Sequence, residues 1–103
     1  MKIKDLPVES RPREKITKLG PSALMNYELL ACILGKGTVK EDVITLSKRL
    51  IEQYGEQILL QHHTVRDLKE LFGLSYVVAC QIAALAELIK RLHSEPKNQQ
   101  FLK

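Results

Sequence analysis

Residues 68 to 82, Leu-Lys-Glu-Leu-Phe-Gly-Leu-Ser-Tyr-Val-Val-Ala-Cys-Gln-Ile, constrain the fold more than any other stretch, because only Gly73, Leu74 and Ser75 separate two runs of helix-forming residues. A turn this short needs a residue that tolerates unusual backbone angles, and Gly73 supplies it. Thr64, with Asp67 three positions later, opens the first helix over Val65 to Leu71, and Ser75 caps a second that continues to about His93. Ala79 is the small residue where the two helices must touch. The turn aims the unpaired N–H groups at the start of the second helix outward.

Two helices meeting at such a corner have the outline of a helix-hairpin-helix. Unpaired N–H groups at a helix start suit a nucleic-acid phosphate. The candidate contacts are therefore Gly73, Leu74, Ser75, Tyr76 and Val77. The DNA-binding form of the motif usually carries a second glycine two positions after the first, where this chain has Ser75, and Tyr76-Val77-Val78 lacks the Lys or Arg often found just beyond the turn. A tight corner used only for packing is the competing reading.

The remaining chain is also patterned for helices. Leu6-Pro7 reads as an extended lead-in, Pro12 fits the first turn of a helix that Gly20-Pro21 stops, and Asn26 is expected to cap a helix through Leu34 with Leu29, Leu30 and Ile33 inward. After the break at Gly35-Lys36-Gly37, a capping box from Thr38 to Glu41 opens a helix to Tyr54 with Val43, Leu46, Leu50 and Tyr54 at helical spacing. Ile58-Leu59-Leu60 is a short apolar patch. Ala79, Ile82, Ala83, Ala86 and Ile89 form a stripe that Val78, Leu85, Leu88 and Leu92 widen, so the last helix should be central. No alternating strand pattern occurs. The expectation is an all-α domain of about five short helices over residues 1 to 93, with the helix-hairpin-helix at 64 to 93 and a polar linker at 94 to 103 leading to an absent domain.

Composition limits the partners. With 103 residues, 45% apolar, the chain suits one small core. The net charge of +4 is uneven: residues 1 to 20 sum to +3, residues 21 to 85 to −1 and residues 86 to 103 to +2. Attraction for a polyanion must then come from the ends or from backbone amides. Arg11, Arg13, Lys15 and Lys18 on the first helix, with Lys90, Arg91, Lys97 and Lys103 at the other end, are the candidate basic contacts, although at a helix edge a solvated face with scattered charge is usually the better account. Cys32 and Cys80 lie on apolar helical stripes and read as buried reduced thiols. His62-His63 lacks the spacing of a metal pair, and no nucleophile stands near a base, so neither a cofactor nor catalysis is expected. The first residues carry no secretory pattern, and the apolar run from Tyr76 to Ile89 is too short to cross a bilayer, so a cytoplasmic protein without a membrane partner is expected.

Several segments together carry a family likeness: Ile3-Lys4-Asp5-Leu6-Pro7, Arg11-Pro12-Arg13-Glu14-Lys15, Leu19-Gly20-Pro21, Ala23-Leu24 before Glu28-Leu29-Leu30-Ala31, the break at Gly35 to Thr38, and the hairpin. On these the chain resembles the N-terminal domain of the RadC family of bacterial proteins over residues 1 to 93. The resemblance implies a helical domain placed before a metallopeptidase-like domain of the JAB/MPN type. In the family that second domain brings a His-x-His pair and a distant Ser-x-x-Asp to zinc, and neither pattern occurs here. Family members are usually labelled DNA repair proteins. The function expected from the sequence is a non-catalytic, sequence-independent DNA-binding module of a RadC-like protein. Its alternative is a protein-interaction or scaffolding domain whose hairpin only packs.

Overall fold

Helix signals dominate the sequence, and the computed structural model, which describes residues 2–37 and 41–94, contains no strand among them. Six α-helices follow in order: α1 (Pro12–Leu19), α2 (Asn26–Leu34), α3 (Val43–Gln53), α4 (Glu56–Leu60), α5 (Val65–Phe72) and α6 (Tyr76–Ser94). Short 3-10 turns occupy Ile3–Asp5, Val8–Ser10 and Pro21–Ala23. Leu6 and Pro7, between the first two turns, have extended backbone as expected, and the apolar patch at Ile58-Leu59-Leu60 is the helix beyond the predicted five. The chain divides into two compact units between Tyr54 and Gly55.

In the N-terminal unit, α2 packs against both α1 and α3. Val43, Leu46 and Leu50 recur at intervals of three and four on α3, and all are buried. Burying each of the two leucines contributes about 1.5–3 kcal/mol. Leu24, Leu30, Ala31 and Leu34 complete this core. Ile33, expected inward, is 57% exposed, because the buried arc of α2 runs through Leu30, Ala31 and Leu34 instead. Ser47 is also fully buried on α3, and its Oγ has no hydrogen-bond partner among the described residues. An unpaired buried hydroxyl is costly, so Ser47→Ala should raise unfolding stability by about 1 kcal/mol in a denaturant titration.

The start of α2 is built differently from the expectation. Asn26 is its first helical residue, and the capping position is Met25. A methionine cannot accept the free N–H groups well, so the carboxylate of Glu28 turns back and accepts from the Met25 N–H at 3.0 Å. The same carboxylate takes a 2.7 Å hydrogen bond from Lys15 Nζ, tying α1 to α2. Burial pushes the Glu28 carboxyl up, but the hydrogen bonds from Lys15 and Met25 and the Lys15 charge outweigh it and hold the group below its ordinary value. A depressed folded pKa contributes stability that is complete above the unfolded value, about 4.3, and is lost as pH falls through the folded one. Stability of the parent should therefore fall on acidification in that window. Glu28→Gln should remove that part of the pH dependence and cost about 1–2 kcal/mol at neutral pH, measured by denaturation at several pH values.

The capping box expected from Thr38 lies at its start outside the described residues. Asp42 caps α3, its Oδ1 accepting the Thr45 N–H at 2.9 Å. Glu41 instead holds Arg49, which donates from Nε and Nη2 at 3.0 Å each.

In the C-terminal unit, α4 and α5 both pack on α6. Ile58, Leu68, Phe72, Leu74, Val78, Ala79 and Ile82 are buried. His63 belongs to this packing rather than to a metal site: its ring meets Phe72 edge-on at 5.1 Å, and its Nε2–H donates to the Gln57 carbonyl at 2.8 Å. The wide apolar stripe does not make α6 central throughout. Ala79 and Ile82 are buried, but Leu88 and Leu92 near its end are more than half exposed.

Candidate nucleic-acid interface

Gly73 has φ 67° and ψ 31°, in the left-handed region that a Cβ disfavours. Its N–H and that of Leu74 both donate to the Leu68 carbonyl, which closes the end of α5. The chain then turns, and α5 and α6 meet at 119°. Thr64 and Asp67 form the predicted capping box at the start of α5. Ser75 caps α6, its Oγ accepting the Val78 N–H at 3.3 Å. No non-glycine residue described has a positive φ, so Ser75 stands without strain where a second glycine is usual.

The corner is open. Beyond its chain neighbours, no atom of the described residues lies within 4 Å of the position a Cβ would take on Gly73, and Ser75, Tyr76 and Val77 are exposed. Their three N–H groups have no acceptor among the described residues. Leu74 is different, because its side chain is buried and its N–H is committed to Leu68. It shapes the corner, and its N–H is not among the free donors there.

The basic candidates are not equivalent. Lys15 is held by Glu28. Arg11 donates from Nε to the Leu6 carbonyl at 3.3 Å and from Nη2 to the Lys4 carbonyl at 3.2 Å, fastening the first turns of the chain to α1. Arg13 and Lys18 are exposed on α1. On α6, Lys90 is exposed and Arg91 donates to Glu87 at 2.9 Å. That hydrogen bond first, and the neighbouring Lys90 charge besides, keep the Glu87 carboxyl below its ordinary value. Lys97 and Lys103 lie outside the described residues. A continuous ridge along α1 is thus replaced by two fastened cations and two free ones.

Two cations the sequence reading passed over lie at the corner itself. Arg66 and Lys69 on α5 share a shallow hollow with Tyr76. Their signal was the spacing of three along α5, on the helix before the turn rather than after it. Arg66 pairs with Glu70 at 3.2 Å, and Asp67 on the same helix offsets Lys69, so α5 carries no net charge. The Tyr76 phenol is pushed above its ordinary value by its hydrogen bond with the Cys80 thiol one turn further on. Both cysteines are free and half-buried rather than buried. Among the described residues no three of His, Cys, Asp and Glu are grouped to hold a metal, and no single helix is long and apolar enough to cross a membrane.

Residues 3–80, from the first 3-10 turn through the corner and into α6, match the UPF0758 N-terminal family. The chain belongs to the UPF0758 family. A UPF0758 protein of Bacillus licheniformis is 43% identical over 94 residues, 91% of this chain and 42% of the relative. UPF0758 protein YsxA of Bacillus subtilis is 38% identical over 102 residues, 99% of this chain and 44% of the relative. One from Aquifex aeolicus is 48% identical over 90 residues, covering 87% of this chain and 38% of the relative. The chain therefore spans about two fifths of the UPF0758 relatives it matches. No solved structure matches it.

Proposed function

We propose that this chain is a non-catalytic module that holds DNA by its phosphates without reading base sequence, as the cytoplasmic targeting part of a RadC-like protein. One observation carries the reading: Ser75, Tyr76 and Val77 offer three consecutive unclaimed N–H groups at an exposed helix start. Phosphate oxygens accept from such groups, and the contact is blind to sequence. The greater length of the relatives leaves room for a metallopeptidase-like JAB/MPN domain, which in this reading carries the family's zinc chemistry. Charge balance near the corner makes the grip weak and dependent on the cations that flank it.

Fluorescence anisotropy against duplex and branched DNA at two salt concentrations tests this. Weak binding at low salt that falls steeply as salt rises is the expected result. An absence of binding at low salt rejects it. Ser75→Gly removes the hydroxyl that occupies the Val78 N–H, offering a fourth donor, and should raise DNA affinity a few-fold while costing only a few tenths of a kcal/mol in stability. Unchanged affinity in a chain that still binds moves the contact from the corner to the basic groups.

A protein-interaction surface is the second reading, and a specific observation favours it. Leu71, Tyr76 and Val77 are 69%, 65% and 63% exposed around the same corner, more apolar surface than a phosphate contact requires. Failure of the DNA titration would leave this reading standing.

A further inference from the structure

A groove in the N-terminal unit carries the charge that the hairpin lacks. The first 3-10 turn, the start of α1 and the end of α2 enclose about 670 Å³, lined by Lys4, Arg11, Arg13 and Lys36 against a single acid, Glu14. Four cations and one carboxylate leave a surplus of +3 on one concave surface. Pockets of about 300–1,000 Å³ accept ligands of drug size, so the space is ample for a short piece of nucleic-acid backbone.

Stabilising the fold does not account for this surplus. The carbonyl end of α2 carries roughly half a negative charge, which one cation offsets. Arg13 meets that need, its Nη2 lying 3.9 Å from where a Cβ would stand on Gly35. Lys4 and Lys36 have no side-chain partner among the described residues. Arg11 is fixed by its bonds to the carbonyls of Leu6 and Lys4, which hold its guanidinium in one plane at the groove and leave part of its five-donor fork unused. A fixed guanidinium beside unengaged ammonium groups is the donor set that phosphate oxygens favour.

We infer that this groove is a second anion site, which takes a phosphodiester segment of DNA through Lys4, Arg11, Arg13 and Lys36. The inference rests on the DNA reading above and assigns most of its electrostatic free energy to the N-terminal unit. A concave polar site favours a chain of phosphates over a lipid surface, which is flat and needs apolar insertion.

Its test is the salt dependence of DNA binding by the full chain. Combining Lys4→Ala, Arg13→Ala and Lys36→Ala should lower the slope of log affinity against log salt by about 2 to 3, and weaken binding at low salt at least tenfold. Should that variant lose its helical circular dichroism, Arg13→Gln with Lys36→Gln should still lower the slope by about 2. A slope equal to the parent's in a folded variant overturns the groove while leaving the hairpin reading intact. A parent chain that binds no DNA at low salt overturns both.

Discussion

Ala79→Leu is expected to destabilise the chain by about 3 kcal/mol, lowering the melting temperature by roughly 12–20 °C. Ala79 is fully buried on α6, the helix against which both α4 and α5 pack. Three added carbons have no space there, so α6 must move from its neighbours or the side chain must leave its preferred rotamers. Ala79→Gly is the control: it empties no volume larger than a methyl group and should cost about 1 kcal/mol, mainly from helix propensity. Calorimetry on both variants separates crowding from helix weakening. A leucine variant as stable as the parent would remove the close helix contact from the account. On the proposed DNA reading the same change should also weaken binding, because movement of α6 carries the Ser75, Tyr76 and Val77 N–H groups with it.

The hairpin was legible because its signals are local and agree. Gly73 sets the left-handed residue, Thr64 with Asp67 and Ser75 set the two helix starts, and Ala79 is the small residue buried on the second helix. Each is decided by residues within a few positions of itself. What was not legible depends on partners distant in sequence. Asn26 is a good capping residue, yet Glu28 reaching back to Met25 and across to Lys15 starts α2 one residue earlier. Glu28 is held there by a cation thirteen positions away, which a local pattern does not reveal. Likewise the exposure of Leu88 and Leu92 shows that an apolar circumference states what a helix can bury, not what covers it.

The candidate site divides in the same way. Ser75, Tyr76 and Val77 are exposed as the motif implies, while the inward turn of Leu74 follows from α5 ending on the Leu68 carbonyl. The basic residues were read as a ridge because α1 places them three and four apart. Arg11 and Lys15 have other occupations, with backbone carbonyls and with Glu28. Arg13 and Arg11 instead share a groove with Lys4 and Lys36, brought in from the first turn and from the residue after Gly35. A charge pattern along one helix cannot show a cluster assembled from three segments.

Gly37→Ala should be among the most damaging single changes, at about 3 kcal/mol, although it adds only one carbon. Gly37 has no positive φ, so the requirement for glycine there is one of space. A Cβ at this position would overlap the Glu41 carbonyl oxygen, the Asp42 carbonyl carbon and the Val43 nitrogen. All three atoms are backbone at the start of α3 and cannot rotate away. Relief therefore means shifting the helix start, which disturbs the Asp42 cap on Thr45 and the Glu41 pair with Arg49. Gly73→Ala provides the contrast, since open space surrounds that position and the cost is that of the left-handed conformation alone, about 1–2 kcal/mol. Urea denaturation of the two variants should rank position 37 as the costlier. The reverse ranking would mean that the backbone beside Gly37 yields readily, and that the segment carrying Lys36 is not held against α3 by this contact.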